Sequence, residues 1–155
     1  MSVEIHNLSF SYIGAENPAL ENVNLHIEEG TITGIVGPLG AGKTTLILTL
    51  NGIVPKVITG TFKGDVIVDG LNTKQYTISE LSQHVGVVFD DPALQITCPT
   101  VEEDVAFGPM NLGIPREELI KRVNFALERT RLLGFEKRSP QSLSGGEQQA
   151  LAIAG

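Results

Sequence analysis

The segment GPLGAGKT, from Gly37 to Thr44, combines residue types that bind phosphate groups. It matches the pattern G-x-x-x-x-G-K-[ST], in which glycines let successive backbone N–H groups point into one concavity. Lys43 supplies an ammonium for the β- and γ-phosphates, and the Thr44 hydroxyl suits Mg²⁺. The competing interpretation is a glycine-rich turn that contains a lysine by chance. We take the candidate nucleotide-binding residues to be Gly37, Pro38, Leu39, Gly40, Ala41, Gly42, Lys43, Thr44 and Thr45, with Thr44 also a candidate metal ligand.

A second candidate anion site lies about a hundred residues later, in the segment LSGGEQQ. Ser144 can cap the helix that follows, and two glycines expose backbone N–H groups at its start. One chain cannot easily bring both segments onto the same γ-phosphate, so we expect a head-to-tail pair in which each copy covers the other's nucleotide. The alternative is an ordinary Ser-capped helix. The candidate residues are Leu143, Ser144, Gly145, Gly146 and Glu147.

The phosphate-binding segment needs a strand before it and a helix after it. The apolar run 31–37 predicts a strand buried on both faces of a parallel sheet, and residues 84–89 predict another. Residues 43–51 predict a helix that ends at Gly52. The predicted fold class is therefore α/β, with a P-loop core.

The remaining pattern adds an antiparallel layer and further helices. Alternating apolar residues over 2–13 predict a bulged strand; 23–27 predict its neighbour and 60–70 an edge strand. One helix begins at a Thr100 cap, and a longer one runs from Pro115 to a stop at Gly134. The longer helix carries the pairs Glu117–Lys121 and Glu118–Arg122 and an apolar stripe of Leu119, Val123, Ala126, Leu127 and Leu133.

The amino-acid composition and net charge argue against several classes of function. The formal net charge of −7 argues against a broad nucleic-acid or membrane-surface patch, so we expect no nucleic-acid partner. The lone Cys98 cannot form an internal disulfide, which favours a reducing compartment. No signal peptide is recognisable, and no apolar run reaches the ~18 residues that a membrane span needs. These features predict a cytoplasmic protein.

The two phosphate motifs together resemble those of the ATP-binding-cassette (ABC) ATPases, and the resemblance extends over essentially all 155 residues. The stretch LSFSY looks like the family's A-loop, which makes Tyr12 the candidate for stacking on adenine. Phe10, on the same strand face, is the rival stacking residue, and a core role for Tyr12 is the other alternative. The three histidines, in strand contexts, are interpreted as surface or strand-end residues.

More specifically, the segments VGVVFDDPALQ and TVEEDVAFGPMNLGIP resemble the ATP-binding subunits of energy-coupling-factor transporters, which take up vitamins and metal ions. This narrower resemblance implies a RecA-like core with an N-terminal antiparallel β layer over residues 1–94. It further implies a helical subdomain over 95–141, and the signature motif with the start of its helix over 142–155. The implied partners are an integral membrane subunit docked on the helical subdomain and a second cassette, as a homo- or heterodimer. The implied location is the inner face of the membrane.

The chain departs from this family at two points. Asp90 stands where a glutamine is expected, and Gln95, five residues on, does not obviously replace it. We expect Asp90 to keep a contact with Mg²⁺ but to weaken coupling to the partner; a solvent-facing Asp90 with no such effect is the alternative. The family's next strand, with its catalytic carboxylates, does not follow Gly155. We therefore expect these 155 residues to be a fragment that binds ATP without hydrolysing it, and Asp90 is the one candidate catalytic residue.

The leading prediction for the complete domain is an ATPase subunit of a prokaryotic membrane importer, using ATP and Mg²⁺. A non-transport ABC-type ATPase that acts on DNA or ribosomes is the alternative, although the coiled-coil insertions typical of those proteins do not occur here. A P-loop kinase is disfavoured by the motif at 143–147.

Overall fold

Four strands form an antiparallel sheet in the first half of the chain. The computed structural model describes all 155 residues and divides them into two compact units, 1–87 and 88–155. In the first unit the strand order is β2-β1-β3-β4. The strands are β1 (Val3–Tyr12), β2 (Leu20–Ile27), β3 (Gly60–Val68) and β4 (Leu71–Asn72). The predicted domain limits at 94 and 141 stay a prediction.

β1 is the centre of this sheet and carries the predicted bulge. Its pairing with β2 shifts register between Ile5 and Leu8, and its pairing with β3 shifts between His6 and Ser9. Gly64 lies opposite this irregularity, where a Cβ atom would approach the carbonyl oxygens of His6 and Asn7 to 2.4 Å. The prediction that 60–70 form an edge strand is wrong, because β3 pairs with β1 on one side and with β4 on the other.

The core of the first unit lies between this sheet and a short helix. The helices are α1 (Lys43–Leu50), α2 (Ile53–Lys56) and α3 (Ile78–Leu81). α1 confirms the helix predicted after the phosphate-binding segment. Alternate residues of β1 point inwards, since successive side chains of a strand face opposite sides. The buried set comprises Val3, Ile5, Leu8, Phe10, Leu46, Leu48, Leu50, Val54, Val66 and Val68, among others.

The two predicted buried strands are absent, which corrects the prediction. Residues 31–37 have no regular secondary structure, and Ile32 and Val36 are 102% and 93% exposed. Residues 85–89 are also irregular, with Val85 buried but Val88 and Phe89 exposed. A parallel strand is held by hydrogen bonds to neighbouring strands, and neither run belongs to the four-stranded sheet.

The second unit is helical. It contains α4 (Val101–Asn111), α5 (Arg116–Arg129) and α6 (Gly145–Ala154), with 3₁₀ turns at Pro92–Leu94 and Pro140–Ser142. Thr100 caps α4 as predicted, because its hydroxyl accepts a hydrogen bond from the Glu103 N–H. The buried core of this unit is formed by Val101, Val105, Leu127, Leu132, Leu143 and Leu151. None of the helices is long and apolar enough to cross a membrane.

α5 ends earlier than predicted. It stops at Arg129 rather than near Gly134, and Arg131 adopts a left-handed conformation with φ of 61°. The Leu132 N–H then reaches the Leu127 carbonyl at 2.8 Å, the Schellman arrangement that closes helices. Leu132 is thereby buried, and Leu133, predicted for the apolar stripe, is exposed instead.

Of the two predicted ion pairs on α5, one forms. Arg122 Nε lies 2.9 Å from Glu118 Oε1, whereas Glu117 and Lys121 form no ion pair. Such exposed pairs contribute little to stability.

Candidate functional site

The phosphate-binding segment forms an exposed loop that ends at α1. Gly40 and Gly42 have φ of 79° and 84°, so the backbone turns through conformations that favour glycine. Gly42 is the N-cap of α1 and offers no side chain to the first-turn N–H groups. These donors at the positive end of a helix are therefore available to an anion.

Gly42 is required by close packing as well as by its backbone conformation. A Cβ atom there would lie 2.3 Å from the Ala19 carbonyl oxygen. The loop is thus seated against the chain just before β2, which fixes where α1 begins.

Lys43 holds its ammonium inside the loop. Its Nζ donates hydrogen bonds to the carbonyl oxygens of Gly37, at 2.9 Å, and Pro38, at 2.8 Å. No carboxylate forms an ion pair with Lys43. The loop therefore presents a positive charge that no acidic side chain neutralises, as an anion site requires.

The other loop residues do not contribute to the core. Leu39 is fully exposed, and the Ala41 N–H closes a turn on the Pro38 carbonyl. Thr44 is exposed and its hydroxyl makes no hydrogen bond within the chain, so it is free for a metal ion or phosphate. Thr45, by contrast, is buried and its hydroxyl bonds to Tyr12.

Tyr12 lies beside this loop. Its hydroxyl is 2.7 Å from Thr45 Oγ1, and its ring meets the Phe10 ring edge to face with centroids 5.0 Å apart. Tyr12 is 38% exposed, whereas Phe10 is 0% exposed. The structure contradicts Phe10 as a stacking residue, because a fully enclosed ring has no face open to a ligand. The stacking role of Tyr12 stays a prediction.

The second candidate segment begins α6 with a capping box. Ser144 Oγ accepts from the Glu147 N–H, while Glu147 Oε2 accepts from the Ser144 N–H at 2.6 Å. Hydrogen bonds from the Ser144 hydroxyl and N–H, together with the charge of Arg138, lower the pKa of Glu147. The predicted Ser144 cap is confirmed. The return bond from Glu147 was not predicted, although the spacing S-x-x-E is a signal for it.

Gly145 and Gly146 lie in the first turn of α6 and face open space. A Cβ atom at either position would have no atom of the chain within 4 Å. Leu143, just before them, is buried in the core of the second unit. Packing within the chain thus explains the apolar Leu143. It does not require glycine at 145 or 146, and the space beside these two glycines is open to another group.

Asp90 is exposed, and Asp91 caps the 3₁₀ turn by accepting from the Ala93 N–H at 3.1 Å. Gln95 Oε1 accepts from the Phe89 N–H at 2.7 Å, so its side chain returns to the backbone next to Asp90. The sequence gives little indication of this contact, because Gln95 lies five residues after Asp90. The available signal is Pro92, which starts the 3₁₀ turn between them.

No group of three or more His, Cys, Asp or Glu side chains could hold a metal ion. A bound Mg²⁺ would take most of its oxygen ligands from phosphates and water, as it commonly does in nucleotide sites. His6 pairs with Glu4 and His84 with Asp69, on the surface, as predicted for these histidines.

Comparisons with known proteins give a consistent result. A family model described as ABC transporter matches residues 20–155. The chain is 44% identical over 155 residues to the energy-coupling factor transporter ATP-binding protein EcfA of Methanothermobacter thermautotrophicus, covering 99% of this chain and 48% of that protein. It spans about half the length of the curated relatives it matches.

Two solved structures share the fold. The first is cbiO1 of Clostridium perfringens, described as part of the ABC transporter complex cbiONQ, with a TM-score of 0.83, 32% identity and coverage of 98% of this chain and 59% of that one. The second is a dimeric ATP-binding cassette in a post-hydrolysis state with ADP and Pi, with a TM-score of 0.76, 32% identity and coverage of 98% and 67%. The predicted α/β fold class is confirmed.

Proposed function

Because this chain belongs to the ABC transporter family of ATP-binding proteins, we propose that it binds ATP at Gly37–Thr45 and that the whole protein hydrolyses ATP to power a membrane importer. The observation that carries this proposal is the Lys43 ammonium, held at the Gly37 and Pro38 carbonyls at the head of α1 without a carboxylate partner. A phosphate chain offers this cation stronger acceptors than two neutral carbonyls.

Mg²⁺ fits the residues present. The exposed Thr44 hydroxyl, which has no hydrogen bond in the chain, is a hard oxygen ligand of the kind that Mg²⁺ takes. Asp90 lies in the second unit and stays a separate candidate ligand predicted from the sequence. Mg²⁺ bound with the nucleotide would neutralise phosphate charge. The chain's own contribution is to supply Thr44 from the first turn of α1 and to orient the phosphates through the loop N–H groups.

The motif at 143–147 serves the nucleotide of a second cassette in this proposal. Ser144 and the N–H groups of Gly145 and Gly146 form an exposed helix start that nothing in the chain covers. A dimeric ATP-binding cassette bound to ADP and Pi is among the structural neighbours, which supports a dimer for this protein.

We assign the helical subdomain at 95–141 to docking on an integral membrane subunit, at the cytoplasmic face. The supporting relatives are an energy-coupling factor ATP-binding protein and a member of the cbiONQ transporter complex. The transported substrate is proposed to be a vitamin or a metal ion, as the narrower sequence resemblance implies. The membrane subunit would select it.

The test separates binding from turnover. ATP affinity is measured by calorimetry and ATPase activity by phosphate release, for the wild type and for Lys43→Ala. Lys43→Ala should weaken ATP binding at least tenfold, because the loop loses its uncompensated charge. Lys63→Ala is the matched control: it removes one exposed lysine from β3 and should leave affinity unchanged. Equal ATP affinity in the wild type and Lys43→Ala would refute the proposal.

A further inference from the structure

A hydrogen bond joins the end of β1 to the first turn of α1. The Tyr12 hydroxyl and Thr45 Oγ1 are 2.7 Å apart, although the residues are 33 positions apart in sequence. Tyr12 is the last residue of β1, and Ile13 and Gly14 beyond it are exposed. The bond is therefore a tie between two elements at the edge of the phosphate-binding loop.

Both contacts of the Tyr12 side chain are with buried partners. Thr45 is 5% exposed on a helix whose Leu46, Leu48 and Leu50 belong to the core. Phe10, which meets the ring at an interplanar angle of 79°, is fully enclosed. Phe10 in turn lies over Gly60, where a Cβ atom would come within 2.7 Å of its ring.

These two contacts restrict the ring in different ways. The edge-to-face contact with Phe10 limits rotation of the ring about the Cβ–Cγ bond, and the hydrogen bond of the hydroxyl fixes the far end of the side chain. A tyrosine at a strand end that lacked the second contact would sample several rotamers. An aromatic ring held in one position binds a flat partner with less loss of conformational entropy.

We propose that Thr45 is a positioning residue whose hydroxyl holds the Tyr12 ring as a preformed stacking platform for the nucleotide base. This inference rests on the proposed function, since it concerns the same ATP site. In this proposal the Tyr12–Thr45 hydrogen bond strengthens the binding of a triphosphate that carries a base. It does not strengthen the binding of a triphosphate without a base.

The proposal separates two roles that Thr45 could have. If its hydroxyl acts on the ring, its loss weakens only ligands that reach the ring. If its hydroxyl acts on phosphate, its loss weakens every triphosphate. ATP and inorganic tripolyphosphate distinguish these roles, because both engage the loop but only ATP carries a base.

The experiment is calorimetric titration of the intact protein with ATP and with tripolyphosphate, in the presence of Mg²⁺. Three variants are compared with the wild type: Thr45→Val, which keeps the shape and removes the hydroxyl; Tyr12→Phe, which keeps the ring; and Thr45→Ser, which keeps the hydroxyl. Thr45→Val and Tyr12→Phe should each weaken ATP about threefold to tenfold, the value of one hydrogen bond. Both should weaken ATP binding by a larger factor than tripolyphosphate binding, and Thr45→Ser should restore ATP affinity.

The double variant Tyr12→Phe/Thr45→Val should bind ATP no more weakly than either single variant, since both remove the same bond. Parallel losses of ATP and tripolyphosphate affinity in Thr45→Val would overturn the positioning role, as would wild-type ATP affinity in Tyr12→Phe. If the wild type binds neither ligand, the proposed function fails and the inference with it. If the wild type binds ATP and the variants match it, only the inference fails.

Discussion

Ser144 and Glu147 bond to each other in both directions across the first turn of α6. The serine hydroxyl caps the Glu147 N–H, and the glutamate carboxylate accepts from both the N–H and the hydroxyl of Ser144. Two backbone donors that a helix start leaves unpaired are involved, so the box fixes where α6 begins. It does so directly before the two glycines that the proposed dimer would use.

This relationship predicts a pH dependence of stability. The pKa of Glu147 is lower in the folded protein, so its contribution is present above the unfolded pKa and is lost as pH falls through the folded value. Glu147→Gln should therefore lower the melting temperature at pH 7, and the difference from the wild type should shrink below about pH 4.3. Glu128→Gln, at an exposed glutamate without an ion pair, is the control and should follow the wild type. A difference that persists unchanged at low pH would show that the charge is not responsible.

Gly146→Ala separates stability from association. An added methyl meets no atom of the chain, and alanine favours a helix, so the free energy of unfolding should rise by about 0.5 kcal/mol. ATP-dependent dimerisation, measured by sedimentation velocity with a non-hydrolysable analogue, should nevertheless fall sharply because the methyl enters the space for the partner's nucleotide.

Gly108→Ala is the matched control for that substitution. Gly108 lies within α4, and a Cβ there would make an ordinary contact of 3.5 Å with the Gly155 carbonyl oxygen. It should stabilise the protein without altering association. Undiminished dimerisation of Gly146→Ala would contradict the role assigned to α6.

Arg131→Gly should stabilise the end of α5. A non-glycine residue in the left-handed conformation costs about 1 kcal/mol, and glycine removes that cost. We expect the free energy of unfolding, from denaturant titration, to rise by about 1 kcal/mol. Arg131→Ala removes the charge but keeps a Cβ, and should have little effect. Equal gains from both substitutions would indicate that charge, not backbone conformation, is the cause.

Asp90→Gln should raise the ATPase activity of the whole protein when it is assembled with the proposed membrane subunit, relative to the protein without that subunit. We expect this increase because aspartate, which is shorter than glutamine and charged, should couple ATP hydrolysis only weakly to the partner subunit. Asp91→Asn removes the neighbouring charge while keeping an oxygen for the Ala93 N–H, and should give no increase. An Asp90→Gln protein with unchanged stimulation would leave Asp90 as a solvent-facing residue without a coupling role.

Features set by a few neighbouring residues were predicted well. The bulged β1, the start of α1 at Lys43 and the caps at Thr100 and Ser144 all follow from local patterns of polarity and hydrogen bonding. The end of α5 was not, because Arg131 takes a conformation for which glycine is the usual residue. What selects that conformation is burial of Leu132 against Leu127, which depends on tertiary packing.

The buried strands at 31–37 and 84–89 were predicted from their apolar composition. Apolar composition indicates that a segment favours burial, but it does not show whether a partner strand is present to pair with it. In the candidate site, the motif identified the loop but not the internal bonds of Lys43. The Tyr12–Thr45 bond likewise depends on where the end of β1 and the start of α1 meet in space. No spacing rule relates two residues so far apart in sequence.

The position of Lys43 has a consequence for product release. The carbonyl oxygens of Gly37 and Pro38 both accept hydrogen bonds from its ammonium, and both are neutral acceptors. An arriving nucleotide must exchange those two bonds for phosphate contacts, and a departing one lets them re-form. If the whole protein hydrolyses ATP as proposed, these two carbonyls compete with phosphate for the same ammonium, and this competition lowers the free energy needed to release ADP.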